Sequence, residues 1–195
     1  MPLILYFKKR VLNALKHQLN PCYTIKMRII PILFLNLILC LSAFAQQKLT
    51  VGASAPDFAA ESMDGKVYNL NQLQGKVVVL TFWSTRCEIC RNEIPKLNGV
   101  AERYRDRDVV FLALTMENQV KVEPFLRKHP FHFSILPNGF GIVLKYANMD
   151  KSGNIDMGFP SYFLINKKGA IALRSQGWDK TDSLDSQISR LLSSD

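Results

Sequence analysis

Two cysteines three residues apart, Cys87 and Cys90, are the side chains of this sequence best suited to chemistry. They stand in the segment Trp83-Ser-Thr-Arg-Cys-Glu-Ile-Cys-Arg91. A helix that begins at Cys87 places both side chains on one face, at a separation that suits a disulfide. A loop this short restricts the unfolded chain little, so the bond suits opening and closing better than stabilising a fold. The spacing therefore indicates thiol–disulfide exchange.

The two cysteines have different predicted roles. The thiolate is the nucleophile in such exchange, and the dipole and free N–H groups of a helix N-terminus favour the thiolate over the thiol. We predict that Cys87, at that N-terminus, attacks a disulfide, and that Cys90 resolves the mixed disulfide that results. The charge of Arg86 supports the thiolate at Cys87, whereas the charge of Glu88 opposes it.

The elements that position the cysteines are a strand and a helix. Residues 76–83 read KVVVLTFW, a run of β-branched and aromatic residues that is typical of a strand buried on both faces. Apolar residues at helical spacing follow over 90–104, and Pro95 predicts a kink in that helix. The cysteine pair is therefore expected at the carboxyl end of a strand, where open α/β sheets hold their active sites.

The remaining pattern predicts a hairpin, then β-α-β-α, then β-β-α. The pair Asp64-Gly65 marks the turn of the hairpin. Strand–helix–strand units require parallel pairing with right-handed crossovers, whereas the last two strands pair antiparallel. We expect one α/β domain with a central mixed sheet, helices on both faces and an added N-terminal β-hairpin. The other predicted elements are strands over 108–115, 161–165 and 170–174, helices over 120–128 and 183–192, and an irregular stretch over 137–157.

The positive charge of the chain is concentrated at its start. Residues 1–45 hold six basic side chains and no acidic ones, so the net charge of +9 falls to +3 over residues 46–195. A nearly balanced body does not suit binding to nucleic acid. We therefore divide the chain into a leader over 1–45 and a single domain over 46–195, with no nucleic-acid partner.

The leader has the features of a signal peptide. Arg28 precedes a 13-residue apolar run over 29–41, and Ser-Ala-Phe-Ala45 follows it. We predict a signal peptide over 27–45, cleaved before Gln46, with Met27 as the true start, and we expect an exported protein of the periplasm or cell envelope. The run is short for a membrane span, although an uncleaved leader would hold the body at the membrane.

Two other uses of the cysteine pair remain open. A structural zinc site needs four ligands, and only His129 and His132 are available to complete one. An inert structural disulfide is the second alternative. The other cysteines, Cys22 and Cys40, lie in the leader, and one close pair in an exported body of this length is unlike a disulfide-stapled scaffold. We expect neither a metal nor another cofactor.

The body resembles the TlpA/ResA branch of the thioredoxin superfamily, which are exported thiol–disulfide oxidoreductases, over about residues 48–194. The resemblance implies a thioredoxin-like fold. It rests on Gly52 with Ala55-Pro-Asp-Phe58, the strand end Phe82-Trp83, Cys87-x-x-Cys90-Arg91-x-Glu93-x-Pro95, and Gly158-Phe-Pro-Ser-Tyr-Phe-Leu-Ile-Asn166 followed by Gly169.

The resemblance also implies further site residues. Phe159–Pro160 should be a cis peptide that faces the cysteines and exposes backbone to an extended substrate. Glu93 should lie near the cysteines and accept or relay a proton, with a solvated helix charge as the alternative. Thioredoxin itself has a buried aspartate where this chain has Thr81. We assign Cys87, Cys90 and Glu93 to catalysis and Arg86, Phe159 and Pro160 to substrate binding.

Two departures from the family pattern concern the residues beside the cysteines. The family usually has Trp before the first cysteine and often Pro before the second, where this chain has Arg86 and Ile89. We expect both changes to alter redox potential or partner preference. The stretch over 146–160 is longer than the family norm, and the role of its loop over 147–157 stays open between substrate choice and a solvent loop.

The function implied is that of a monomeric exported reductant. Its expected partners are cysteine-containing exported proteins and an upstream redox donor, and the family works often in cytochrome c maturation. A peroxiredoxin-like thiol peroxidase is the first alternative, since Ser84 matches that family, although Leu80 replaces its proline. A copper chaperone is the second alternative, because thiolates favour Cu(I), but such proteins space their cysteines as CxxxC.

Overall fold

The computed structural model describes residues 49–193 of the chain. The predicted leader over 1–45 and its cleavage site before Gln46 lie outside these residues. Within 49–193, no helix combines the length and apolar character that crossing a membrane requires.

A five-stranded sheet in the order β5-β4-β3-β8-β9 forms the centre of the body. Strand β3 pairs parallel with β4 and antiparallel with β8, so the sheet is mixed, as predicted. The strands are β1 (Ala59–Glu61), β2 (Val67–Asn69), β3 (Val77–Phe82), β4 (Val109–Leu114), β5 (Ser134–Leu136), β6 (Asn148–Met149), β7 (Ile155–Asp156), β8 (Ser161–Ile165) and β9 (Ile171–Gln176). The helices are α1 (Glu88–Arg103), α2 (Gln119–Lys128), α3 (Phe140–Tyr146) and α4 (Thr181–Ser193), and Leu70–Leu73 forms a 3₁₀ turn.

The central strand is buried at every position because helices cover both faces of the sheet. Successive side chains of a strand point to opposite faces, so β3 contributes to two cores. Val77 and Val79 pack with α1, α2 and α4 on one face. Val78 and Leu80 pack with α3 and the β1–β2 hairpin on the other. The predicted layers are thus confirmed.

The N-terminal hairpin also forms as predicted. Strands β1 and β2 pair antiparallel around a turn that contains Asp64 and Gly65. Gly65 has φ of +81°, in the left-handed region that glycine adopts at no steric cost. The Ser62 hydroxyl donates to the Asp64 carboxylate and to the Lys66 carbonyl, which ties the turn together.

Helix α3 corrects the prediction of an irregular stretch over 137–157. Val143 and Tyr146 are buried, three residues apart on the helix, and the Tyr146 hydroxyl donates to the Pro56 carbonyl at 2.8 Å. Gly139 and Gly141 hide this pattern in the sequence. Gly139 is required by close packing, because a Cβ there would lie 2.3 Å from Leu114 Cδ2. The short β6–β7 hairpin then fills most of the remaining stretch.

Helix and strand boundaries differ from the predictions by at most two residues. Helix α1 begins at Glu88 rather than at residue 90 and continues to Arg103 through Pro95. Helix α4 begins at Thr181 rather than at residue 183. Cys87 is the N-cap residue of α1, so it lies at the helix N-terminus as predicted.

Candidate active site

The cysteine pair forms a disulfide at the N-terminus of α1. The Cα atoms of Cys87 and Cys90 are 5.2 Å apart, within the range that a disulfide spans. Cys87 is the N-cap residue, and its Sγ accepts a hydrogen bond from the Cys90 amide at 3.1 Å. Cys87 is half-buried, whereas Cys90 is 2% exposed. The Cys87 sulfur is therefore both the more accessible one and the one that the helix N-terminus stabilises as a thiolate.

The Phe159–Pro160 segment lies directly against the disulfide. The peptide bond between these two residues is cis. The Phe159 carbonyl oxygen is 3.5 Å from Cys87 Sγ, and Pro160 is buried. The Pro160 carbonyl accepts a hydrogen bond from the Gly177 amide at 2.8 Å, which joins the segment to the end of β9. The backbone of Phe159 therefore borders the Cys87 sulfur.

Glu93 is fully buried one turn beyond Cys90, so the expectation of a solvated helix charge is wrong. Its Oε2 accepts a hydrogen bond from the Thr181 hydroxyl at 3.0 Å. The ammonium of Lys96 lies 3.3 Å from Oε1 and 3.0 Å from Asp179 Oδ1. These hydrogen bonds, the one to Asp179 first, raise the pKa of Lys96 above its usual value. Lys96 thus supplies the countercharge for a buried carboxylate.

Apart from the Lys96 contact with Glu93, four buried side-chain atoms form no hydrogen bond among residues 49–193: Thr81 Oγ1, Trp83 Nε1, Glu93 Oε1 and Tyr162 Oη. Thr81 and Tyr162 are cross-strand neighbours in β3 and β8. Burial and the negative charge of Glu93 raise the pKa of Tyr162 above its usual value.

A second acidic residue, Glu117, supports the loop that leads into α1. Its carboxylate accepts hydrogen bonds from the Thr85 amide and hydroxyl, each at 2.7 Å, and from the Thr115 hydroxyl at 3.2 Å. Burial alone would raise the pKa of Glu117, but these hydrogen bonds and the charge of Arg86 lower it below its usual value. Arg86 itself is 86% exposed, with its Nε 3.9 Å from Glu117 Oε1.

Glu117 is not among the predicted site residues, although the sequence holds a signal for it. Phe82 pairs with Leu114 at the ends of the parallel strands β3 and β4. Thr85 and Glu117 each follow that pair by three residues. The carboxyl ends of parallel neighbours lie at one edge of the sheet, so equal offsets place these two side chains together.

The metal alternatives lack ligands in the described part of the chain. Over 49–193, no three His, Cys, Asp or Glu side chains come together in a group that could hold a metal ion. The His129 ring packs against Phe125, with 4.8 Å between centroids, and the His132 amide donates to the Asn98 side chain. The two histidines therefore do not join the cysteines to complete a zinc site, nor do they offer Cu(I) a third ligand.

The chain matches the model of the AhpC/TSA family over residues 51–174. The thiol-disulfide oxidoreductase ResA of Geobacillus kaustophilus is 32% identical over 124 residues, which are 63% of this chain and 67% of that protein. ResA of Bacillus thuringiensis subsp. konkukian is 26% identical over 147 residues, which are 75% and 81% of the two chains.

Solved structures share the same fold. A solution structure from Bacteroides thetaiotaomicron has a TM-score of 0.65 and 27% identity, over 74% of this chain and 91% of that one. The crystal structure of a thiol:disulfide interchange protein from Chlorobium tepidum has a TM-score of 0.63 and 22% identity, over 73% of this chain and 98% of that one.

The chain belongs to the AhpC/TSA family. Within the thioredoxin superfamily it is a TlpA/ResA-like thiol–disulfide oxidoreductase.

Proposed function

We propose that the protein is an exported reductant, which passes two electrons from its cysteine pair to disulfides of other exported proteins. The observation that carries this proposal is the arrangement of the two sulfurs. Cys87 is accessible at a helix N-terminus, with Cys90 buried directly beneath it. The relatives named thiol-disulfide oxidoreductase ResA support the reaction class.

The exchange takes place in two substitutions at sulfur. The Cys87 thiolate attacks one sulfur of the substrate disulfide, and the other substrate sulfur leaves as a thiolate that takes a proton from water. The Cys90 thiolate then attacks Cys87 Sγ, forms the internal disulfide and expels the second substrate thiolate. Two protein thiols are oxidised and one substrate disulfide is reduced. An upstream dithiol donor must then reduce the pair again before the next turnover.

Glu93 has the proposed role of proton acceptor for Cys90. Cys90 is buried, so its thiol has little access to water as a base. The Glu93 carboxylate lies one helical turn away, and the charged partner of its Oε1 among the described residues is the Lys96 ammonium at 3.3 Å. A carboxylate held in this position can take the Cys90 proton as the thiolate forms.

Arg86, Phe159 and Pro160 have the proposed role of substrate contacts. Arg86 is the most exposed side chain next to Cys87, and its charge favours a thiolate there. The Phe159–Pro160 segment borders Cys87 and offers backbone beside which an extended substrate can lie. A substrate held there would bring its own disulfide to the Cys87 sulfur.

Export is the second part of the proposal. It is supported by the basic and apolar leader over 1–45, which we interpret as a signal peptide that is removed before Gln46. We further propose that the mature domain over 46–195 acts as a monomer in the cell envelope, and that its partners include apoproteins of cytochrome c maturation. Expression with the leader fused to a reporter enzyme that is active only outside the cytoplasm tests export directly.

Single cysteine variants of the purified body test the chemistry. Cys87→Ser should abolish reduction of a disulfide substrate, and Cys90→Ser should accumulate a mixed disulfide through Cys87 that mass spectrometry identifies. Hydrogen peroxide and Cu(I) serve as parallel substrates. Rapid turnover of peroxide without disulfide exchange would support the peroxidase instead, and stoichiometric Cu(I) binding without exchange would support the copper chaperone.

The redox potential tests the direction of electron flow. A reductant should equilibrate near the potential of thioredoxin, about −270 mV, when titrated against glutathione or dithiothreitol. A potential near that of the oxidant DsbA, about −120 mV, would contradict a reducing role while leaving the exchange reaction intact.

A further inference from the structure

Trp178 is unusual because half of its side chain is exposed. The sequence holds two tryptophans, and the other, Trp83, is 1% exposed in the core. Trp178 is 50% exposed. A tryptophan ring removes a large apolar area from water when it is covered, and tryptophan is enriched among the residues that contribute most to binding at interfaces. The residues around Trp178 therefore indicate what its exposed ring can contact.

The backbone places Trp178 beside the proposed substrate site. Trp178 follows Gly177, whose amide donates to the Pro160 carbonyl at 2.8 Å. Phe159, the residue before Pro160, has its carbonyl oxygen 3.5 Å from Cys87 Sγ. Trp178 therefore directly follows the residue that hydrogen-bonds to the Phe159–Pro160 segment, and this segment borders the reactive sulfur.

A cation fixes the ring in place. The Lys96 ammonium lies 5.2 Å from the centroid of the Trp178 ring, a cation–π distance. Lys96 is in turn held between Glu93 Oε1 at 3.3 Å and Asp179 Oδ1 at 3.0 Å. The ring is thus positioned before any partner arrives, which lowers the entropy cost of binding to it.

Trp178 lies on the opposite flank of the disulfide from Arg86. Arg86 is directed toward Glu117, beyond the end of β4. Trp178 follows β9, on the other side of β3 in the strand order. Arg86 stands where the family usually has a tryptophan, so this chain has an aromatic surface on the β9 flank and a charged one on the β4 flank.

We propose that Trp178 is a specificity-determining contact residue, which packs against an aliphatic or aromatic side chain next to the reacting cysteine of an extended partner segment. The charge of Lys96 is already paired with Glu93 and Asp179, so the surface of the ring selects for apolar neighbours rather than acidic ones. This inference rests on the proposed exchange with protein disulfides and adds to it the chemistry of the preferred partner.

Two synthetic peptide disulfides of equal charge test the inference. Each is a dimer linked through one cysteine, with Leu and Phe beside the cysteine in the first peptide and Ser and Gly in the second. The reduced protein is mixed with an excess of each peptide, and the concentration dependence of its single-turnover oxidation gives a maximal rate (kcat) and a half-saturating concentration (KM) separately. Trp178→Ala should raise KM for the first peptide about tenfold and leave the second unchanged, whereas Trp178→Phe should retain most of the preference.

Two controls separate contact from structure. Val67→Ala removes an exposed apolar side chain from β2 and should leave the constants for both peptides as in the wild type. The redox potential and unfolding midpoint of Trp178→Ala should also match the wild type. If Trp178→Ala reduces the first peptide like the wild type, or slows both peptides equally, the inference is overturned while the exchange activity stands. If the wild type reduces neither peptide, the proposed function fails and the inference fails with it.

Discussion

Two glutamates lie near the ends of the cysteine pair, and they differ in how fully their oxygens are hydrogen-bonded. The partly buried Glu117 accepts hydrogen bonds from the Thr85 amide, the Thr85 hydroxyl and the Thr115 hydroxyl. The fully buried Glu93 accepts one from the Thr181 hydroxyl, and its Oε1 is paired with the Lys96 ammonium. Glu117 holds the loop that leads to the half-buried Cys87, and Glu93 follows the buried Cys90 by one helical turn.

Under the proposed mechanism, the difference separates a structural carboxylate from a reactive one. Hydrogen bonds to the ionised form favour that form, so Glu117 stays charged and holds the loop before Cys87 in place. Glu93 has fewer hydrogen bonds in its buried site and is the proposed proton acceptor. In this proposal one residue type serves two purposes, and the hydrogen-bond partners decide which.

The largest effect is expected at Glu93. Glu93→Gln keeps an acceptor for Thr181 but removes the base, so attack by Cys90 on the mixed disulfide should slow by about 100-fold at neutral pH. Rapid-mixing measurement of the decay of the mixed disulfide follows this step directly. Initial attack by Cys87 should change much less, because that sulfur is accessible to water.

Glu88→Gln is the matched control, since it neutralises another carboxylate of α1 whose side chain is 78% exposed. It should leave the decay of the mixed disulfide close to the wild-type rate. If Glu93→Gln also leaves that rate unchanged, Glu93 is not the base and the contrast with Glu117 has no catalytic meaning.

Glu117→Ala should act mainly on stability. It leaves the Thr85 amide and hydroxyl without their acceptor in a partly buried site, and we expect a loss of about 2 kcal/mol in the free energy of unfolding. Urea titration of oxidised protein measures it. The rate of attack by Cys87 should fall less than tenfold, because the loss concerns loop order rather than a reacting group. A large loss of rate with unchanged stability would reverse the assignments of the two glutamates.

The stabilising contribution of Glu117 should depend on pH in the acid range. Its pKa is lowered in the folded state from a usual value of 4.5, because hydrogen bonds from Thr85 outweigh burial. A lowered folded pKa means that the contribution is complete above the unfolded value and is lost as the pH falls through the folded value. The difference in unfolding free energy between wild type and Glu117→Gln should therefore be constant from pH 6 to 8 and shrink below about pH 4.5. A difference that grows in acid would contradict this.

Much of the fold follows from short patterns in the sequence. The KVVVLTFW run predicts β3, and the cysteine pair after it predicts a site at a strand end, because both signals are local. Helix α3 does not follow, since Gly139 and Gly141 weaken the helical pattern. Gly139 is explained by close packing against Leu114 and Thr115, at and just beyond the end of strand β4, which the local sequence does not show.

The site residues divide in the same way, into those that local motifs predict and those that depend on distant partners. Cys87, Cys90 and the Phe159–Pro160 segment stand in motifs, so their resemblance to a family is readable along the chain. The burial of Glu93 depends on α4, which is distant from Glu93 in the sequence and supplies Thr181. Glu117 required the register of two parallel strands. Residues whose role comes from long-range partners are thus the ones that sequence patterns describe least well.

The smallest effect is expected at Lys96, whose ammonium contacts both Glu93 and Asp179. Contacts with Asp179 first, and with Glu93 second, raise the pKa of Lys96. The contribution of the Lys96 charge to the free energy of unfolding is therefore present at all pH values below the unfolded pKa of 10.5 and is lost only above it. Lys96→Met should slow the Cys90 step only a few-fold, equally at pH 6 and pH 9, since the ammonium is partly exposed and screened by solvent. Lys96→Arg should restore the rate, because it returns the charge. If Lys96→Met instead slowed the Cys90 step as much as Glu93→Gln does, the function of Glu93 would depend on its countercharge. The smaller number of hydrogen bonds to Glu93 would then not be enough to distinguish it from Glu117.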